Sequence, residues 1–269
     1  MNKYPKISVI TPSFNQANYL ERTIHSVLDQ RYPNLEYIII DGGSTDGSVD
    51  IIKNYEDKLA YWVSETDRGQ VDAINKGLRL ATGEWVGWQN SDDIYYPEAF
   101  DSLARAVEKH PDADLIIGNI MLIDDNDREL RNINYVNPKY WSLLAEGTLS
   151  PNQAAFWRRS IHEDIGWLDE KYEYSFDFEW FLRLLYRRKG IHVNKILGGF
   201  RLHGKTKTDN FPERFQEEHN SIISGKEIPW WYAPASKARR LILYLLRGDF
   251  FYVTRGLWRR IQRRGGDFY

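Results

Sequence analysis

The chain contains no cysteine. Disulfides, thiolate metal sites and a cysteine nucleophile are thereby excluded, and a reducing compartment fits. Long hydrophobic runs are missing too. The longest in the C-terminal stretch, Leu241–Leu246, falls far short of the ~20 apolar residues that span a bilayer. The first residues, Met1 to Lys6, carry no signal-peptide core and lead straight into a strand-like run. No segment repeats internally or is of low complexity. Glycine is absent from the next loop, Thr11-Pro12-Ser13-Phe14-Asn15-Gln16. A dinucleotide site needs glycines there, where backbone meets pyrophosphate, so that class is excluded.

Core-forming residues are plentiful: 42% are hydrophobic, with ten Trp among 269 residues. One large domain, or one domain with an appendage, is expected. The net charge of −2 hides an asymmetry. Residues 232–269 hold nine Lys and Arg against two Asp, a balance of +7, which leaves −9 on residues 1–231. An acidic body with a basic, aromatic tail is unlike a nucleic-acid-binding domain, so no nucleic-acid partner is expected. It suits an anionic membrane surface. The expectation is a cytoplasmic protein, peripheral on the cytoplasmic face of the membrane.

Short β-branched runs at Ile7–Ile10, Tyr37–Ile40, Leu59–Val63 and Trp85–Trp88 read as buried strands. Between them, Leu20, Ile24, Val27 and Leu28, then Val49, Ile52 and Tyr55, then Val71, Ile74 and Leu78 recur at helical spacing. Such alternation predicts a parallel sheet covered on both faces. The loops at 11–15, 41–46, 67–70 and 90–93 then fall at one sheet edge. Beyond residue 100, Ala113–Ile117 predicts a strand, Met121–Val136 a hairpin, Phe178–Arg188 a helix and Ile191–Ile196 a strand. A boundary falls near Phe211-Pro212, with tail helices beyond.

The fourth strand ends in two adjacent acids, Asp92 and Asp93. Strand ends in such sheets hold ligands, and paired carboxylates suit a divalent cation that bridges to phosphates. A capped turn is the other reading, since Ser and Asp favour turns. A second motif, Gly199-Phe200-Arg201-Leu202-His203-Gly204-Lys205-Thr206, matches the phosphate-loop pattern literally. That pattern needs a helix starting at its Lys-Thr. Turn-forming residues through Asp209-Asn210-Phe211-Pro212 follow instead, which argues against an NTPase.

Ser8–Asn15, Tyr37–Ser48, Asp67–Gly77 and Asn90–Asp93, taken in order and spacing, resemble an inverting family-2 glycosyltransferase with the GT-A fold. The likeness covers about residues 6–100. It continues more weakly to 208 through Phe176–Arg183 and Arg201-Leu202-His203. It implies an α/β fold class: a single GT-A-type domain with a mostly parallel central sheet covered by helices, plus a helical C-terminal extension. Residues 1–210 form the glycosyltransferase domain. Within it, 1–100 are the nucleotide-sugar-binding half and 101–210 the acceptor-side half, and 211–269 are the basic extension.

The resemblance also implies roles. Thr11, Ser13 and Asn15 lie in the loop that holds the nucleotide, and Asp41 contacts base or ribose. Asp67 and Lys76 lie in the segment closing over the nucleotide. Asp92 lies nearer the ribose, and Asp93 sits on Mn²⁺ or Mg²⁺ with His203 approaching the metal or diphosphate. Asp177 matches the general base. A diphosphate leaving group needs charge neutralisation, which a divalent metal supplies. The acceptor hydroxyl must lose a proton, which a carboxylate within reach accepts. Asp177 also reads as a simple N-cap, and the two roles are compatible. Three positions depart from the family pattern. Gly42 and Asn90 stand where many relatives have acids. Phe176 replaces the acid that often precedes the base, which leaves Glu179 as an alternative. For His203, a turn residue is the other reading. Gln153 and Trp157 fall where relatives line the acceptor side; a buried aromatic is the other use of Trp157.

In the tail, Phe250, Val253, Leu257 and Ile261 share a helical face, with Arg255, Arg259, Arg260, Arg263 and Arg264 largely elsewhere. Such a helix lies in a membrane interface or docks on the catalytic domain with a solvated Arg face. The expected activity is metal-dependent transfer of a sugar from a nucleoside-diphosphate donor, a UDP-sugar, to a hydroxyl acceptor. The acceptor is a lipid-linked glycan in polysaccharide assembly. The alternatives are a nucleotidyltransferase acting at phosphorus and a catalytically silent nucleotide-sugar-binding protein.

Overall fold

The structure, a computed structural model, describes residues 4–147, 151–204 and 210–262, without the side chains of Leu257 and residues 259–262. In chain order the elements are β1 (Ile7–Ser13), α1 (Ala17–Leu28), β2 (Leu35–Asp41), α2 (Ser48–Lys53), β3 (Tyr61–Ser64), α3 (Gln70–Leu80), β4 (Trp85–Trp88), β5 (Ile94–Tyr95) and α4 (Ala99–Lys109). Then follow β6 (Leu115–Ile123), β7 (Glu129–Ile133), α5 (Tyr140–Glu146), β8 (Ala155–Arg158), α6 (Ile161–Ile165), α7 (Phe176–Arg187) and β9 (Gly190–Arg201). Three helices complete it: α8 (Pro212–Ile223), α9 (Tyr232–Leu246) and α10 (Phe250–Gln262).

Among the described residues the strands form one sheet in the order β3-β2-β1-β4-β8-β6-β9-β5, with β7 paired to β6. β3, β2, β1 and β4 run parallel. Beyond β4 the sheet is mixed: β8 is antiparallel to both β4 and β6, and β9 is parallel to β6. The chain runs outward from β1 to β2 and β3, then returns to place β4 on the other side of β1. That reversal opens a crevice at the carboxyl ends of β1 and β4, where ligands of α/β sheets bind.

Alternation along the strands feeds two cores, as a period of two requires. Ile38 and Ile40 join the core with Ile74, Leu78, Trp88, Trp157 and Phe181. Tyr37 and Ile39 join the core with Leu20, Ile24, Val27, Phe100 and Phe156. Gly77 allows α3 to lie close on β1, because a Cβ there would meet Ile10 Cγ2 at 2.5 Å. The expected strands are all present, several of them longer. β6 runs on to Ile123, so the predicted strand and the first arm of the predicted hairpin are one element. Gly199, Phe200 and Arg201 lie inside β9, so the literal phosphate-loop match begins in a strand. Its Lys205 and Thr206 lie outside the described residues.

The tail helices are fastened to the domain by specific bonds. Tyr244 Oη donates to Asn134 O at 2.6 Å, and Arg247 donates to Tyr135 O and to His192 Nδ1 at 2.9 Å each. Arg240 pairs with Glu146 at 2.8 Å, and Asn134 N donates to Tyr252 Oη. The expected face of α10 is only partly visible: Phe250 is exposed and Val253 half-buried. The side chains of Leu257, Arg259, Arg260 and Ile261, and all of Arg263 and Arg264, lie outside the described residues.

Candidate active site

The four expected loops meet at the carboxyl ends of β1 to β4. Gly42 N donates to Ser13 O at 2.8 Å, which joins the first two. Asp41 is fully buried and organises its own loop. Its carboxylate accepts from Gly43 N, Ser44 N, Ser44 Oγ and Ser64 Oγ at 2.5–3.1 Å. Asn15 has φ 52°, a left-handed conformation that Asn tolerates well. It donates through its N–H to Ser44 Oγ and accepts from Thr45 N through Oδ1. Asp67 accepts from Gly69 N at 2.8 Å. Its carboxylate lies so close to Gly42 that a Cβ there would sit 2.6 Å from Oδ2. An acid at position 42 is therefore excluded sterically while Asp67 keeps this place. Gln70 Nε2 donates to Asn90 Oδ1 at 2.9 Å and ties the third loop to the fourth. Lys76 is ion-paired with Glu65.

Thr11 and Ser13 behave differently. The Thr11 hydroxyl is buried against Tyr37 Oη at 3.0 Å, so its side chain belongs to the core. The Ser13 hydroxyl is buried with no partner among the described residues.

Asp92 and Asp93 part company. Asp93 is 1% exposed and accepts from Asn90 Nδ2 at 3.1 Å, Gln153 Nε2 at 3.0 Å and Arg201 N at 2.9 Å. Burial, together with the Asp92 charge, pushes its carboxyl well above the carboxylate range, and the three N–H donors pull the other way. The Asp92 side chain is 21% exposed and lies 2.9 Å from His203 Nε2. His203 Nδ1 is buried without a partner among the described residues, and its ring rests on Tyr19 at 4.8 Å. Arg201, fully buried, donates from Nε to Asp92 O at 2.7 Å and from Nη1 to Asp124 O at 3.0 Å. Asp93, expected on the cation, faces inward, whereas Asp92 is partly exposed and bonded to His203, which is itself buried.

No group of three or more His, Cys, Asp or Glu gathers among the described residues. What stands there is one carboxylate, Asp92, and one imidazole, His203, 2.9 Å apart. Mn²⁺ accepts such mixed ligands, and the positions left over suit phosphate oxygens and water.

Asp177 lies in the first turn of α7, and Phe178 N donates to its Oδ1 at 2.7 Å. The adjacent Phe176 ring packs 6.0 Å from Trp88 at the end of β4, which brings this turn to the same crevice. Asp177 is half-buried, and burial raises its carboxyl to about 6, with a smaller contribution from the Glu218 charge. Glu179 is held in a two-point pair with Arg183, both contacts at 2.8 Å.

Both expected acceptor residues have other partners here. Gln153 is buried and spends its amide on Asp93. Trp157 is fully buried between Trp88 and Trp180, and its Nε1 donates to His162 at 3.0 Å.

The model of Glycosyl transferase family 2 matches residues 8–166, a stretch that contains these loops, both acids and β8. The chain belongs to that family. An uncharacterized glycosyltransferase of Mycobacterium tuberculosis is 36% identical over 188 residues, covering 68% of this chain and 70% of that one. A putative teichuronic acid biosynthesis glycosyltransferase of Bacillus subtilis, TuaG, is 45% identical over 95 residues, 34% of this chain and 38% of that one. Among solved structures, residues 1–349 of Staphylococcus aureus TarS in complex with UDP-GlcNAc superpose with a TM-score of 0.64. Identity is 22%, covering 81% of this chain and 65% of that one. A longer TarS chain gives a TM-score of 0.63 at 22% identity, covering 81% of this chain and 39% of that one. A mannosyltransferase of Pyrobaculum calidifontis in complex with GDP-Man and Mn²⁺ gives a TM-score of 0.62 at 20% identity, covering 87% of this chain and 69% of that one. These neighbours share the GT-A fold with this family 2 glycosyltransferase.

Two residues of this glycosyltransferase site escaped the sequence. In the sequence, Arg201 reads only as a neighbour of His203. Its burial beside two acids follows from the length of β9, which apolar periodicity does not reveal. Glu218 accepts from Glu173 N, Tyr174 N and Ser175 N at 2.7–2.9 Å. It lies more than forty residues from the loop it holds, and no local signal marks it.

Proposed function

We propose that this family 2 glycosyltransferase moves a sugar from a UDP-sugar to a hydroxyl of a growing, lipid-linked glycan, with inversion. The carrying observation is the partly exposed Asp92, paired with the buried His203, at the crevice where the strand order reverses. Asp92 and His203 would hold Mn²⁺ or Mg²⁺, whose charge neutralises a diphosphate leaving group. The Ser13 hydroxyl and the loop built on Asp41, Asn15 and Asp67 bind the nucleoside. Asp177 accepts the proton of the acceptor hydroxyl as that oxygen attacks the anomeric carbon. The bond from that carbon to the diphosphate breaks on the opposite face. An α-linked donor therefore yields a β-linked product and a nucleoside diphosphate. The UDP-GlcNAc and Mn²⁺ complexes of neighbours and the teichuronic acid role ascribed to TuaG support this reading. Cytoplasmic work at a membrane face accords with a lipid-linked acceptor.

The test is a panel of nucleotide-sugars incubated with the protein and Mn²⁺ or EDTA. Release of free sugar and UDP, dependent on the cation, is the expected outcome. Asp92→Asn should abolish the cation dependence. Sugar phosphate with UMP would mean attack at phosphorus. Equal UDP binding in EDTA and Mn²⁺ would sink the metal assignment.

A further inference from the structure

The outer side of the tail helices has no covering among the described residues. On α9, Leu241, Ile242, Leu245 and Leu246 are exposed, Leu246 by 78%. On α10, Phe251 is 87% exposed and Trp258 60%. Scattered exposed apolar residues are ordinary, but a contiguous set marks an interaction site. The helices are not loose arms, because Tyr244, Arg247, Tyr252 and Arg240 fix their inner sides to the domain. The apolar side is therefore held outward.

Charge singles out the partner. Arg255 stands exposed in the groove between Phe251 and Trp258, and Lys237 is exposed one turn before Leu241 on α9. The whole tail carries +7 against −9 on the body. A symmetric pairing of two such faces would bring Lys237 and Arg255 against their copies, which like-charge repulsion opposes. Anionic lipid headgroups complement that charge, and the acyl boundary accepts the aromatic and aliphatic side chains. No helix among the described residues is long and apolar enough to cross a membrane.

We propose that the outer side of the α9–α10 hairpin is a docking surface for an anionic membrane, entered by Leu246, Phe251 and Trp258 and rimmed by Lys237 and Arg255. The proposal is independent of the sugar-transfer reading, since it uses none of the crevice residues.

The test uses the full-length protein and flotation with vesicles of phosphatidylcholine alone, or phosphatidylcholine mixed with phosphatidylglycerol. Flotation with the mixed vesicles, weakened by salt, is expected. The double variant Leu246→Glu, Phe251→Glu should lower partitioning by about a hundredfold, from the two lost apolar insertions. Both positions are exposed, so its melting temperature and its UDP-induced thermal shift should match wild type. Lys237→Glu with Arg255→Glu should reduce binding to mixed vesicles and leave any binding to neutral vesicles unchanged. No flotation of wild type, or equal flotation of the double variant, overturns the proposal. So does a wild-type dimer that the double variant dissociates without vesicle binding, which would assign the surface to a second copy.

Discussion

Asp177 meets two opposed demands. Burial lifts its carboxyl to about 6 from the usual 3.8. Protonated, it cannot accept the acceptor's proton, so transfer should rise with pH through about 6 and level off above. Asp177→Asn should remove that limb and lower turnover by roughly 10²–10⁴-fold, with donor binding retained. The same raised value has a stability consequence of definite sign. The folded state binds this proton more tightly than the unfolded chain. The ionised form therefore costs stability above about pH 6, and the cost vanishes below the unfolded value. Asp177→Asn should thus gain about 2 kcal/mol at neutral pH, discounted for its partial exposure, and little at pH 4 (thermal melts at both pH values check this). A variant that loses turnover without the gain would place Asp177 in solvent. At this scale the sequence marked the acids but not the facing of each group. Two adjacent acids mark a strand end, yet only the fold reveals that Asp93 points inward and Asp92 outward. Gln153 and Trp157 sit in the expected segment, but Asp93 and the aromatic core claim their side chains.

Helix α8 governs the entrance to α7. Glu218 takes three backbone N–H groups of residues 173–175, Ser175 Oγ donates to Phe215 O, and His219 stacks on Phe178 at 4.3 Å. A carboxylate with three such donors is a strong local anchor. Glu218→Ala should cost about 2 kcal/mol, or roughly 4–8 °C in melting temperature for a chain of this size. It should lower kcat while the donor KM stays near wild type, because the loop it releases leads to Asp177 and not to the donor loops. A matching loss in donor affinity would show that α8 supports both. Elements of the first hundred residues were legible because each is short, periodic and punctuated. β9 was not legible as one strand: Asn194 and Lys195 interrupt its apolar run, and its partner β6 sits far away in sequence. α8 is polar on most of its surface, so its part in the site rests on Glu218, His219 and Ile222 rather than on a hydrophobic stripe.

Across the molecule, the tail is neither a free arm nor a buried part of the core. Its inner side closes polar groups of the domain, including Glu146, which Arg240 neutralises while only 8% exposed. Truncation after Pro229 should therefore lower the melting temperature by roughly 5 °C or more, yet keep UDP-induced stabilisation, since the candidate donor loops precede α9. Loss of UDP stabilisation in a truncated protein that still melts cooperatively would refute that independence. Charge asymmetry was readable from composition, whereas the docking of α9 and α10 depends on long-range pairs that no local pattern encodes. Asp93 carries the same lesson into the history of the chain. Its three donors come from Asn90, Gln153 and Arg201, the last 108 residues away. Contacts of such separation form late, after loop closure. During synthesis, a ribosome-bound chain has every loop of its first half long before Arg201 and His203 emerge. The nascent first half thus carries Asp92 and Asp93 before either has its partner from β9 or beyond.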